Sequence, residues 1–119
     1  MQVLLIAPYK SSPVKNREDF IPSTALLCLA SALREKGHTP AILDLNTSYV
    51  NNQPDSEQFC LDLIMAKIRE VQPRLVGFNC LFSGMFPIVL EHSEIVRREF
   101  PDIKIALGGI HATTYPNEI

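Results

Sequence analysis

At 119 residues, the chain has the length of one domain with a sizeable core, and its 13 acidic and 11 basic residues nearly balance. The basic residues are scattered, with no run that could follow a phosphate backbone, so nucleic acid is not expected as a partner. The 3 cysteines form no CxxC pair, which argues against a disulfide framework or a metal site, and the absence of a signal peptide or membrane-length apolar run predicts a cytoplasmic protein.

The first half of the chain predicts a strand, a helix and a second strand. Residues 3–7 are continuously apolar, which is typical of a central strand that helices bury on both faces. A helix is expected to begin after the cap residue Ser23 and to end at Gly37. A short second strand covers residues 41–43. The apolar face of the helix consists of Leu26, Leu29, Ala30 and Leu33.

The second half predicts two more helix and strand pairs. A capping-box pattern at Asp55 opens a helix that ends before Pro73, and the apolar run at residues 75–78 predicts the third strand. The third helix ends at Pro101, and residues 103–107 form the fourth strand. The expected core faces of these two helices are Leu61, Ile64, Ile68 and Val71 for the second, and Val89, Val96 and Phe100 for the third.

Alternating strands and helices with short connections predict a three-layer α/β fold of the flavodoxin-like (Rossmann-like) type. Right-handed crossovers, and the absence of GxGxxG after the first strand, favour a parallel sheet in the order 2-1-3-4. One helix should cover one face and two helices the other. In such sheets ligands bind at the carboxyl ends of the strands. The candidate binding residues at this edge are Pro8, Tyr9, Asn79, Leu81, Phe82, Ser83, Gly108, Gly109 and His111.

Several short segments, in their order and spacing, resemble the N-terminal cobalamin-binding domain of B12-dependent radical SAM proteins, and most of all the group of the anaerobic magnesium-protoporphyrin monomethyl ester cyclase. These segments are IPSTAL at 21–26, EKGH at 35–38, ILD at 42–44, VGF at 76–78, FS at 82–83, LGGIH at 107–111 and PNE at 116–118. The resemblance covers nearly the whole chain. It adds Pro22 and Ser23 to the candidate cofactor-binding residues.

The resemblance implies that cobalamin lies over the carboxyl ends of the strands, with its nucleotide tail running down toward the sheet. S-adenosylmethionine and a 4Fe-4S cluster would belong to a downstream radical SAM domain, whose CxxxCxxC motif is absent here. Residues 1–119 would then be the N-terminal part of a larger enzyme, which carries out tetrapyrrole cyclisation or methyl transfer. The chain itself offers no nucleophile and base pair or metal set, so we expect no catalytic residue and no metal-binding residue in it.

One departure from other cobalamin domains concerns the lower ligand of cobalt. Many of them carry DxHxxG after the first strand, where this chain has APYKSSP at 7–13. The protein is therefore not expected to supply that histidine, and the resemblance to the radical SAM proteins implies that any bound cobalamin is base-off, without a histidine of the protein on cobalt. His111 is open between a ligand contact and a structural role in its own loop.

The sequence leaves two main functions open. The chain is either a cobalamin module or a degenerate relative that serves a structural or substrate-recognition role without B12. A receiver or flavodoxin is disfavoured, because Asn79 stands where a receiver needs aspartate and prolines replace a phosphate-binding loop. The predicted elements do not include the fifth strand and last helix expected of a complete flavodoxin-like domain. An open fourth strand and a half-covered sheet face predict self-association, with residues 112–119 swapped or laid across that face, and cobalamin binding that is weak or absent.

Overall fold

A computed structural model describes residues 1–8, 24–45, 56–79 and 86–109. Four strands alternate with three helices in these ranges. They are β1 (Gln2–Ala7), α1 (Thr24–Glu35), β2 (Thr39–Asp44), α2 (Ser56–Val71), β3 (Leu75–Asn79), α3 (Phe86–Glu99) and β4 (Lys104–Gly108). Among the described residues, none of the helices combines the length and hydrophobicity that crossing a bilayer requires.

The strands form one sheet in the order β2-β1-β3-β4, and all three neighbouring pairs are parallel. This confirms the predicted strand order and the central position of β1. All five residues from Val3 to Ala7 are buried, as expected for a strand with helices on both faces.

The two faces of the sheet carry separate cores. Leu4 and Ile6 of β1 and Val76 and Phe78 of β3 pack with α2 and α3. Val3, Leu5 and Ala7 pack with Leu26 of α1. The alternation follows from the two-residue period of a strand, and it confirms that one helix covers one face and two helices the other.

Three of the predicted helix faces differ in detail from the structure. Leu29 of α1 is 52% exposed, whereas Leu26 is buried and Leu33 is half-buried. In α2 the fully buried side chains follow a spacing of four, Cys60, Ile64 and Ile68, so that Leu61 and Val71 lie half-buried at the flanks. In α3 the buried set includes a polar residue, His92, beside Val89 and Val96.

Backbone geometry explains where α1 and α2 end. Gly37 has a φ of +87°, and the N–H groups of Gly37 and His38 donate to the carbonyls of Arg34 and Leu33 at 3.1 and 3.0 Å. This is the pattern of a helix that a left-handed residue terminates. Gln72 has the same role after α2, with a φ of +51° and an N–H bond to the Ile68 carbonyl at 2.8 Å.

Candidate functional site

The carboxyl ends of β1, β3 and β4 lie at one edge of the sheet. Pro8 follows the last residue of β1, and Asn79 at the end of β3 is in register with Gly108 at the end of β4. Gly109 comes directly after β4. The structure therefore brings together four of the predicted site residues, Pro8, Asn79, Gly108 and Gly109, at the edge where parallel α/β sheets bind ligands.

The remaining predicted site residues lie outside the described residues. These are Tyr9, Pro22, Ser23, Leu81, Phe82, Ser83 and His111. Their place at the site stays a prediction.

An apolar groove of about 760 Å³ extends from this edge down the sheet face that carries α1. We call it the α1 groove. Its wall is formed by Ala25, Cys28 and Leu29 of α1, and β1, β3 and β4 supply its floor. Leu29 is exposed because it faces this groove rather than the core.

The groove exists because α1 covers only part of its sheet face in the described structure. Side chains of β4 alternate in exposure, and Ile105 and Leu107 pack into the core on the α2 and α3 side. Ala106 and Gly108 therefore lie on the α1 side, where they are exposed and line the groove. Gly77 of β3 lines it as well, and it is in register with Ala106.

The two glycines that end β4 have different backbone requirements. Gly109 has a φ of +101°, a conformation that residues with a Cβ rarely adopt. Gly108 shows no such constraint, and a Cβ built on it would meet no atom within 4 Å. A side chain at position 108 would therefore enter open space at the mouth of the groove without straining the backbone.

The groove is suited to binding rather than to acid–base chemistry. Among the described residues that line it, the polar side chains are the amide of Asn79 and the thiol of Cys28, and none of these residues is charged. The described residue with a shifted pKa is His92, which lies on α3 across the sheet. Burial lowers the pKa of His92, and the negative charge of Glu91 partly opposes that effect.

A second, smaller cavity of about 280 Å³ lies at the outer side of β4, on the other sheet face. Leu90, Ser93, Glu94 and Arg97 of α3 line it together with Ile105 and Leu107. We call it the β4 edge groove.

The residues of the α1 groove that sequence reasoning missed include Cys28, Leu29, Gly77 and Ala106. Small residues in the alternate positions 106 and 108 are the signal that could have indicated open space along one face of β4. The position of Leu29 gave no such signal, because an apolar helix residue looks the same in the sequence whether it meets a core or a groove.

A parallel sheet with an apolar groove that opens at its carboxyl edge defines an α/β ligand-binding domain. The chain belongs to the B12 binding domain family, whose model matches residues 13–119. This confirms the cobalamin-domain part of the predicted resemblance.

The fold is also similar to that of a solved protein. This is a novel cobalamin-binding protein from Desulfitobacterium hafniense, with a TM-score of 0.52 and 17% sequence identity over 91% of this chain. The aligned region is 44% of that protein's chain, so this chain spans less than half its length. At this identity the similarity concerns the fold. No curated protein sequence is significantly similar to the chain.

Proposed function

We propose that the chain binds cobalamin, with the corrin over the carboxyl ends of β1, β3 and β4 and the nucleotide tail in the α1 groove. The observation that carries this proposal is the α1 groove itself. It is apolar, it measures about 760 Å³, and it opens at the strand ends in a member of the B12 binding domain family. Pockets of this size and character are typical of cofactor sites.

Three described features suit such a ligand. The backbone at Gly108 and Gly109 carries no side chain, so a large flat ring can approach it closely. Asn79, next to Gly108 in the sheet, offers a side-chain amide that can both donate and accept hydrogen bonds. The exposed side chains of Leu29 and Ala106 offer apolar contacts along the groove. When bound, cobalamin supplies a cobalt centre that transfers electrons or an alkyl group.

We also propose that the cobalamin is base-off and has no histidine of the protein on cobalt. Among the described residues the two histidines lie away from the strand ends. Nδ1 of His38 is 3.1 Å from the amino group of Met1, at the opposite end of the sheet. His92 is buried on the face of the sheet away from the α1 groove. Neither position supports a role as the lower ligand.

The resemblance of the sequence supports a more specific proposal for the whole protein. We propose that the chain serves a B12-dependent radical SAM enzyme, an oxidative cyclase or methyltransferase. Its downstream domain would hold S-adenosylmethionine and a 4Fe-4S cluster, and this chain would contribute no catalytic residue. Self-association through the open side of β4 is a further part of the proposal.

Titration of the purified chain with cobalamin, followed by absorbance, tests the proposal. We expect weak but saturable binding with the spectrum of base-off cobalamin, and we expect His111→Ala to leave that spectrum unchanged. Gly108→Leu should weaken binding about tenfold or more, because its side chain enters the mouth of the groove.

Gly109→Leu should weaken binding too, but its φ of +101° adds backbone strain, so Gly108→Leu is the cleaner variant. Absence of cobalamin binding at millimolar concentration by the folded chain would contradict the proposal and favour a structural or substrate-recognition role without B12. A spectrum shifted by His111→Ala would contradict the absence of a histidine ligand.

A further inference from the structure

The apolar stripe that holds α3 to the sheet is short, and a histidine interrupts it. The buried residues of α3 are Val89, His92 and Val96, which share one face of the helix at spacings of three and four. His92 is the polar residue among the buried residues that the structure describes. Its Nδ1 atom is buried and has no hydrogen-bond partner among them. The ring therefore occupies the place of an apolar side chain and leaves a buried polar atom unsatisfied.

α3 is held more weakly than α2, its neighbour on the same face of the sheet. From α2 the core contains three buried side chains with three half-buried ones around them, whereas α3 supplies Val89 and Val96, with Phe86 at its first residue. α3 has no acidic residue in its first turn to oppose the helix dipole. In its interior, Oγ of Ser93 donates to the carbonyl of Leu90 at 2.9 Å, a bond that slightly weakens a helix.

The surroundings of His92 provide no buried acid among the described residues. Glu91, the preceding residue of α3, is exposed, and its negative charge only partly opposes the burial that lowers the pKa of His92. The buried residues of β1, β3 and α2 on this face are apolar apart from the thiol of Cys60. The charged side chains described in α2 and β4 are exposed or half-buried; they are Asp62, Lys67, Arg69, Glu70 and Lys104. A charged ring would therefore be buried without a partner.

We propose that His92 is a pH-sensitive switch: protonation of its ring releases α3 from the sheet, while α1, β1, β2 and β3 stay packed. Packed α3 keeps the ring from water and disfavours the imidazolium, whereas released α3 lets water solvate that charge. Below a pH of about 6.5, the usual value for histidine, the released state therefore binds more protons, and falling pH shifts the equilibrium toward it.

The two separate cores allow a state in which α3 alone is released. On the other face of the sheet, Val3, Leu5 and Ala7 pack with Leu26 of α1, and α3 takes no part in that cluster. The β4 edge groove would be lost, because α3 supplies four of the residues that line it. Mild acid therefore removes this groove and uncovers apolar side chains of β3 and β4, while the α1 groove stays in place. The switch does not depend on cobalamin, so its failure and the failure of the proposed function are distinguishable.

Amide hydrogen exchange of the 119-residue chain, measured by NMR, tests the switch. We expect the α3 amides from Leu90 to Val96 to exchange through an open state that is more populated than the one that exposes the amides of β1. After correction for the intrinsic pH dependence of exchange, the population of this open state should rise about threefold or more from about pH 7.5 to about pH 5.5. Equal populations for α3 and β1, or an α3 population that does not change with pH, would overturn the proposal.

Histidine variants assign the pH dependence to one ring. His92→Leu removes the titrating group and should make the population of released α3 constant over this pH range. His92→Gln, which keeps a polar side chain but does not titrate, should do the same, so the result does not depend on how well leucine packs. His38→Gln is the matched control, because His38 lies next to the amino group of Met1, away from α3. It should keep the native pH dependence. A pH dependence that persists in both His92 variants, or that His38→Gln removes, would assign it to another group and contradict the switch.

Discussion

His92 is a polar side chain in an otherwise apolar core. It is 3% exposed, it lies one turn from both Val89 and Val96 on α3, and its Nδ1 has no hydrogen-bond partner. Burial without a partner disfavours the charged imidazolium, which is why the pKa of His92 is lowered from its usual 6.5. The neutral ring still leaves one nitrogen unsatisfied. His92 therefore reduces the stability of the fold at every pH, and more so in acid.

The lowered pKa of His92 predicts acid destabilisation. Between the folded pKa and the unfolded value of 6.5, the unfolded chain binds more protons, so stability is lost as the pH falls through this window, and above it His92 adds no further pH dependence. Urea unfolding from about pH 7.5 down to about pH 5 should show that the free energy of unfolding falls more steeply for the native chain than for His92→Gln or His92→Leu.

The two His92 variants separate the effect of the imidazolium charge from that of a buried polar group. His92→Leu should also raise the free energy of unfolding by about 1 kcal/mol at neutral pH, because it removes the unsatisfied nitrogen. His92→Gln keeps a buried polar group and should not raise it. Identical pH profiles for all three proteins would show that His92 does not titrate in this range.

At the scale of the helices, α1 and α2 end in the same backbone conformation with different residues. Gln72 adopts a φ of +51° at a cost of about 1 kcal/mol relative to glycine, whereas Gly37 adopts +87° without it. Both positions are exposed, and a Cβ at Gly37 would contact nothing within 4 Å. Gln72→Gly should therefore stabilise the chain by about 0.5 kcal/mol, and Gly37→Ala should destabilise it by about 1 kcal/mol.

Denaturant unfolding of Gln72→Gly and Gly37→Ala measures the change in the free energy of unfolding that each causes. The two changes serve as controls for each other, because each exchanges glycine and a residue with a Cβ at an exposed helix end. Changes of the same sign would mean that side-chain contacts, rather than the backbone angle, decide stability at these ends.

The elements were predictable because their signals are local. The continuous apolar run of β1 and the cap at Gly37 indicate strand and helix directly. The buried first strand, the right-handed crossovers and the absence of GxGxxG then favoured the strand order that the structure confirms. That order makes β3 and β4 neighbours, and in the structure Asn79 is in register with Gly108 at their carboxyl ends. What could not be predicted is which side chains meet. The spacing of Leu29 predicts a core residue, yet it faces a groove. The spacing of His92 predicts a residue at the flank of the core, yet it is buried in the core. The neighbouring elements, which the spacing does not reveal, decide burial.

At the scale of the whole molecule, the outer side of β4 is an open sheet edge in the described structure. β4 pairs with β3 on one side and with no other described strand. The β4 edge groove beside it contains Leu90, which is 39% exposed. Glu94 and Arg97 flank that groove one turn apart on α3 and form no ion pair with another described residue. An unpaired edge next to exposed apolar surface favours association with another chain.

A second copy related by a two-fold axis would complement this surface. The axis would pair β4 with β4 in antiparallel fashion and set Glu94 of each copy against Arg97 of the other. We therefore expect the chain to form dimers in sedimentation velocity experiments. Glu94→Arg or Arg97→Glu alone should weaken the dimer about tenfold, because each places like charges together twice, and the double exchange should restore it.

Exchange of Lys67 and Glu70 is the matched control for this dimer, since they form an i,i+3 ion pair at 3.6 Å at the surface of α2, away from β4. It changes the same kinds of charge at a distance from the β4 edge, so it should leave the dimer as it is. High salt should weaken the native dimer and the double exchange alike, because exposed charge pairs are screened. A monomer at high protein concentration, or a double exchange no better than either single one, would show that β4 and α3 do not form this interface.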